Sequence, residues 1–219
     1  MEASEVESGP GWTLWRTAGG TWVEVGDDLA RVLPDGVDVA VVATAWPRGR
    51  WSFGFTGTAV PYEAPMAVRT DPLLTCAMTV LAAAKQARLR DGVRATFGEV
   101  WVEAPADGVG ASRVTAVLDV RAESARDRDA VLDAVRAQAQ GRAERDRTRV
   151  EITAEVVQEA VPFDENAVRH LCGALDAPTL ASPGADRAAA LALRGEQAVA
   201  LVVRHRDADV VAAALAALP

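Results

Sequence analysis

The chain has 219 residues, 50% of them hydrophobic and 25% charged, which is enough apolar material for one large core or two small ones and argues against a disordered chain. Its 31 Asp and Glu outweigh 23 Lys and Arg to give a formal net charge of -8, a balance that repels phosphate backbones and anionic lipid, so no nucleic-acid partner is expected. No run reaches the roughly 18 apolar residues of a membrane span, and no membrane partner is expected.

Lys85 is the only lysine, and the heavy Ala, Val and Arg usage reads as the bias of a GC-rich bacterial genome. The first residues, MEASEVESGPGW, are acidic and lack the apolar segment of a signal peptide. Cys76 and Cys172 each sit in a stretch that reads as apolar helix, as buried free thiols of a cytoplasmic protein would, and no zinc-type cysteine spacing exists.

In chain order, TWVEVGDD (21–28) is a short strand. VDVAVVATAW (37–46) is an apolar strand candidate that PRGR (47–50) turns into WSFGFTG, where Trp51, Phe53 and Phe55 alternate with small or polar residues; a hairpin is expected. The loop TAVPYEAPMAVRT follows. Asp71 then offers an N-cap and Pro72 fits the first helical position, opening a helix that runs to a basic last turn and a stop at Gly92. Two strands come next, VRATFGEVWVE (93–103) and SRVTAVLDVRAE (112–123), the second with Val114, Ala116, Leu118 and Val120 on one face and Arg113, Thr115, Asp119 and Arg121 on the other. A helix is expected from about Asp127 to Gln140, then a strand in RVEITAEVVQEA with Val150, Ile152, Ala154 and Val156 on one face. Helices from about Asp164 and Gly184, an apolar strand QAVALVV (197–203) and a closing helix from about Asp207 complete the chain.

Two helices on one face of a mainly antiparallel sheet make an α+β sandwich of ferredoxin type. The expected organisation is therefore a ferredoxin-like domain, residues 37–160, inserted in an α/β domain formed by residues 1–36 and 161–219.

Other candidates have plain readings. All six tryptophans (12, 15, 22, 46, 51 and 101) lie in the first half; strand positions suit core use, whereas Trp12 and Trp15, in a Gly-rich segment without periodic pattern, could cover a bare surface, a partner or a flat apolar ligand. Cys172 follows His170 by two residues, and on one helix such positions point apart, so no nucleophile pair is expected. Glu24, Asp27 and Asp28 read as a solvated strand end, with weak cation binding the alternative.

The order of elements and several strings resemble the M20-type metallo-amidohydrolase family, in particular the branch acting on N-carbamoyl amino acids and allantoate. That branch has F-T-G, a loop H-A-G-T-T-P-M and then R-x-D-x-L; here FTG (55–57), Pro65-Met66, Arg69, Asp71 and Leu73 stand in the same order. Its N-V-x-P-G-R-V followed by L-D-x-R is similar to GVGASRVTAVLDVR (108–121), its Y-L-E-L-H-I-E-Q-G-P-V-L-E to WVEVGDDLARVLP (22–34), and its S-G-A-G-H-D to SPGADR (182–187). The resemblance implies a zinc-bearing α/β domain interrupted by a ferredoxin-like lid that makes the homodimer.

It also implies losses. Hydrolysis in that family uses two metal ions held by His and carboxylates, most of them from an N-terminal half for which too few residues precede Trp22; the ligand His of H-I-E-Q-G falls on Gly26, and the late S-H-N ligand has no clear counterpart, His205 being the nearest imidazole. The lid-loop His, which reaches the partner subunit's site, is replaced within AVPYE, near Val60 and Pro61; the substrate Asn falls on Gly108, and the His of G-H-D on Ala185. Arg121 matches the Arg of L-D-x-R that grips the substrate carboxylate. No catalytic residue, metal ligand or cofactor is therefore expected, and the candidate ligand contacts are Arg121, Tyr62 and Glu63. The expected role is a non-hydrolytic binding or assembly subunit, pairing as a homodimer or with a full-length homologue. The alternatives are a metal-independent enzyme acting on a carboxylated small molecule, and a residual amide or ureido hydrolase.

Overall fold

The structure, a computed structural model, describes residues 3–27, 33–205 and 207–218. The chain divides into two compact units, residues 1–46 with 160–219 and residues 47–159. The first holds strands β1 (Ser4–Gly9), β2 (Trp12–Arg16), β3 (Trp22–Gly26) and β4 (Val39–Ala45). The second runs β5 (Arg48–Thr56), α1 (Pro72–Arg88), β6 (Val93–Glu103), β7 (Arg113–Ala122), α2 (Ala125–Asp146) and β8 (Arg149–Gln158). The chain then returns to the first unit for β9 (Val161–Pro162), α3 (Glu165–Leu175), β10 (Thr179–Ser182), α4 (Asp186–Ala192), β11 (Ala198–Val203) and α5 (Ala208–Ala216).

In the first unit the sheet order is β1-β2-β3-β11-β4-β10, with β9 also against β4. Helices α3 and α5 close one face over Val23, Val25, Val41, Val199 and Leu201, and α4 closes the other over Ala40, Val42, Ala200 and Val202. Cover on both faces explains why β11 is apolar at every position: all six of its residues are buried. The N-terminal β1 carries Glu5, Glu7 and a register shift between them at the sheet edge, features that discourage further strand pairing.

The second unit is a β-α-β-β-α-β chain whose four-stranded sheet has the order β6-β7-β5-β8, with every neighbouring pair antiparallel. The alternation read from sequence is the packing: Trp51, Phe53 and Phe55 of β5 and Val114, Ala116, Leu118 and Val120 of β7 are buried in one core with Cys76 and Ala83 of α1 and Val131 and Val135 of α2. Phe97 of β6 meets Phe53 edge-on at 5.3 Å between ring centres. Asp71 caps α1 as expected, its Oδ1 accepting from the amides of Leu73 and Leu74, and Ser124 caps α2 through the amide of Asp127.

Four expectations need correcting. The strand of residues 37–46 forms no hairpin with β5: β4 pairs with β11, β10 and β9, so the inserted unit begins at residue 47 rather than 37. Val156 does not share a face with Val150, Ile152 and Ala154, because a bulge where β8 meets Arg50 and Trp51 shifts the register and places Val156 opposite Arg50. Helix α2 extends to Asp146, a turn and a half past Gln140. Trp12 and Trp15 lie in regular strand β2, not in an unpatterned segment. Among the described residues no helix is long and apolar enough to cross a membrane.

Candidate functional site

Strand alternation sends Arg113, Thr115, Val117, Asp119 and Arg121 of β7 to the sheet face away from α1 and α2. There Arg121 stands opposite Arg48 of β5 on one side and Arg94 of β6 on the other, so three guanidinium groups form a row across three strands. Like charges directly opposite one another repel. Arg94 shows it: its pKa is lowered, first by burial and then by Arg121, against the pull of Glu123. Asp119 offsets the row by taking the fork of Arg121, with Nε to Oδ1 at 2.8 Å and Nη2 to Oδ2 at 3.4 Å. One row further, Arg50 donates to Glu99 and Glu155, both at 2.6 Å, and the bond to Glu99 leads in raising its pKa. Arg121 is thus a half-buried, ion-paired strand residue, and a ligand carboxylate there would meet the whole row with Asp119 already in place.

The loop between β5 and α1 is held by its backbone. A Cβ on Gly57 would lie 1.9 Å from the carbonyl oxygen of Thr70, so only glycine permits this approach. The amide of Thr58 donates to Thr70 Oγ1 at 2.7 Å, and Pro61 bridges to Val109. Arg69 donates to the carbonyls of Tyr62 and Ala64, and Arg147 to that of Ala67 at 2.7 Å, so Arg69 works as a strut. Tyr62 and Glu63 are exposed. They follow the end of β5 opposite to Arg48 and Arg121, and the length of that strand puts its two ends roughly 26 Å apart. The structure does not bring Arg121 together with Tyr62 and Glu63 within one chain.

Contrary to the solvated strand end its sequence suggests, Glu24 is 5% exposed, and its Oε2 accepts from the amides of Arg187 and Ala188 at 3.0 and 2.8 Å. Asp28 lies outside the described residues. Burial pushes the Glu24 carboxyl up and Asp186 adds to this, while the Ala188 and Arg187 amides and the Arg187 charge oppose it. The contact ties β3 to the first turn of α4, and so joins two of the strings that carry the family resemblance. Its signal in the sequence was a lone Glu between Val23 and Val25.

At the positions that the sequence resemblance pairs with metal and substrate ligands stand Gly26, Ala185 and Gly108, whose side chains offer no donor to a metal. Among the described residues, no group of three or more His, Cys, Asp or Glu is placed to hold an ion.

The remaining feature is apolar. Of the fifteen large hydrophobic residues exposed among those described, thirteen belong to the second unit; only Val6 and Leu193 belong to the first. Leu74, Met78 and Leu81 form a stripe along α1 at helical spacing, Leu81 being 64% exposed. Helix α1 packs on β6, the edge strand, whose Val100, Trp101 and Val102 are each about half exposed.

No family model matches the sequence, and no curated protein matches it. Solved structures do. AtUAH in complex with (S)-hydroxyglycine superposes with a TM-score of 0.78 at 14% identity, over 92% of this chain and 53% of its own. An amidase of the hydantoinase/carbamoylase family from Burkholderia vietnamiensis gives 0.75 at 20% identity, over 83% and 46%. The chain has the fold of these amidases. An aminobenzoyl-glutamate utilization protein from Klebsiella pneumoniae matches at 0.52 and 17% identity, over 85% of this chain and 50% of its own. The chain spans about half the length of the structures it matches.

Proposed function

We propose that this chain is a non-hydrolytic assembly subunit of M20 amidohydrolase type, cytoplasmic and bacterial, in which residues 47–159 act as a ferredoxin-like dimerisation lid and the first unit is a remnant of the α/β catalytic domain. The observation that carries this reading is the apolar surface of α1 and β6: a strand edge with unpaired backbone groups beside Leu74, Met78 and Leu81 is what a second lid can cover. Gly26, Gly108 and Ala185 support the non-hydrolytic part, since they stand where ligands would be needed. The partner is a second copy of the chain; a full-length homologue with an equivalent lid would fit the same edge.

Sedimentation of the native protein and of a Leu81→Glu/Trp101→Glu variant tests this. We expect a dimer that the variant weakens at least a hundredfold, because each carboxylate would have to be buried unpaired. A native protein that stays monomeric at high concentration, alone and with a full-length homologue, overturns the reading, as does stoichiometric zinc or manganese with hydrolysis of a ureido acid.

The row Arg94, Arg121, Arg48 favours a second reading, an enzyme or binding protein for a carboxylated small molecule. Thermal stabilisation by such acids that Arg121→Ala abolishes would support it; stabilisation that survives the substitution would remove Arg121 from the site.

A further inference from the structure

We propose that the first unit carries a binding site for an organic ammonium ion with an apolar body, in the groove between the N-terminal hairpin and α5. The groove has a volume of about 440 Å³, and among the described residues it is lined by β1, β2, β3, α5 and the α5 N-cap, Asp207. That size suits a small ligand.

Its floor follows from strand register. Thr13 and Trp15 of β2 share a face with Val25 of β3, since Thr13 stands opposite Val25 and Trp15 opposite Val23. On the outer side Glu5 of β1 stands opposite Trp15, which sets a carboxylate at the edge of an indole. The facing wall is α5, where Ala208, Val211, Ala212 and Leu215 recur at one-face spacing and all line the groove. Asp207, the N-cap of that helix, brings a second carboxylate from the opposite side; its Oδ1 accepts from the amide of Asp209 at 2.9 Å.

The site therefore has an apolar floor, an aromatic ring and two carboxylates on facing walls, and no Lys or Arg lines it among the described residues. A carboxylate ligand would be drawn to the first turn of α5 but repelled by Glu5, Asp207 and the neighbouring Asp209. A neutral apolar ligand would leave both carboxylates unused. An ammonium group can lie between Glu5 and Asp207 and reach the Trp15 ring, while its apolar body covers Val211 and Leu215.

Titration calorimetry with phenethylammonium, 2-phenylethanol and 3-phenylpropionate on the full chain tests the site, with amide chemical-shift mapping to locate binding. The amine is expected to bind at least tenfold more tightly than the alcohol and the acid not at all. Glu5→Gln with Asp207→Asn should erase the preference for the amine while keeping the fold, since Asn also caps helices. Ala212→Trp should fill the groove and abolish binding; if that variant does not fold, shifts in the native protein confined to the residues lining the groove serve instead. Three results would each overturn the proposal: no binding of the amine at millimolar concentration, equal binding of amine and alcohol, or shifts that lie elsewhere. The site is independent of lid pairing, so it stands or falls separately from the assembly reading.

Discussion

The two units solve the same problem differently. In the first, helices close both faces of the sheet, and only Val6 and Leu193 remain as exposed large hydrophobics among the described residues. In the second, α1 and α2 close one face, the other is laced by Arg50, Glu99 and Glu155, and thirteen large hydrophobics stay exposed, seven of them on α1 and β6. Hydrophobic content thus says little about whether a unit is complete. What matters is which side of each element it falls on, and the second unit's surplus points outward.

That contrast can be broken most strongly at its centre. Phe53→Ala removes a fully buried ring from the single-face core and should cost about 3–5 kcal/mol, read as a lower urea midpoint for the second unit while the first is unchanged. Arg128 is next: 2% exposed, it donates to the carbonyl of Gln158 at 2.8 Å and pairs with Asp129 and Glu159, so Arg128→Met should cost about 1.5–3 kcal/mol, again in the second unit's transition.

On the first unit, Glu24→Ala leaves the amides of Arg187 and Ala188 without their acceptor and should cost about 1–3 kcal/mol. Its pH behaviour sharpens the assignment. Because the folded pKa is raised above 4.5, the contribution of Glu24 to stability is fully present below that value and is lost as pH rises through the raised one. A Glu24→Gln variant lacks this loss, so its stability relative to the native protein should rise with pH across that window in urea titrations; a fall would show a depressed pKa instead. The smallest effect belongs to Asp71→Ala, which removes the α1 cap and should cost about 1 kcal/mol in the second unit by the same measurement.

Much of this was legible in the residues. Strand β5 could be read because one covered face forces strict alternation, and α1 because Asp71 and Pro72 suit its first turn. Strand β4 runs directly into β5 yet belongs to the other sheet. Its own pattern shows it: Ala40 and Val42 enter one core and Val41 the other, a run apolar on both faces that belongs to a doubly covered sheet, while β5 alternates. Strand β1 leaves no apolar signal because SEVESG is exposed and polar and is held by pairing, not by burial. The bulge in β8 leaves no mark in composition.

The candidate site was less legible. Arg121 is legible in its motif, but the arginines on either side of it are not, because neighbours across strands are far apart in sequence. Glu24 hides its role for a related reason: its partners lie more than 160 residues away.

The way the second unit is tied off has a consequence for engineering. Ala45 pairs with Val161 where the chain leaves and re-enters the first unit, and Arg48 pairs with Gln158 just inside the second, with the Arg128 guanidinium reaching toward both their carbonyls. Within each unit departure and return pair on an antiparallel ladder, so in the first unit the 113 residues from 47 to 159 occupy the place of a hairpin turn. They can be lifted out and the gap closed by a tight turn, or the excised piece rejoined end to end, without asking either backbone to travel.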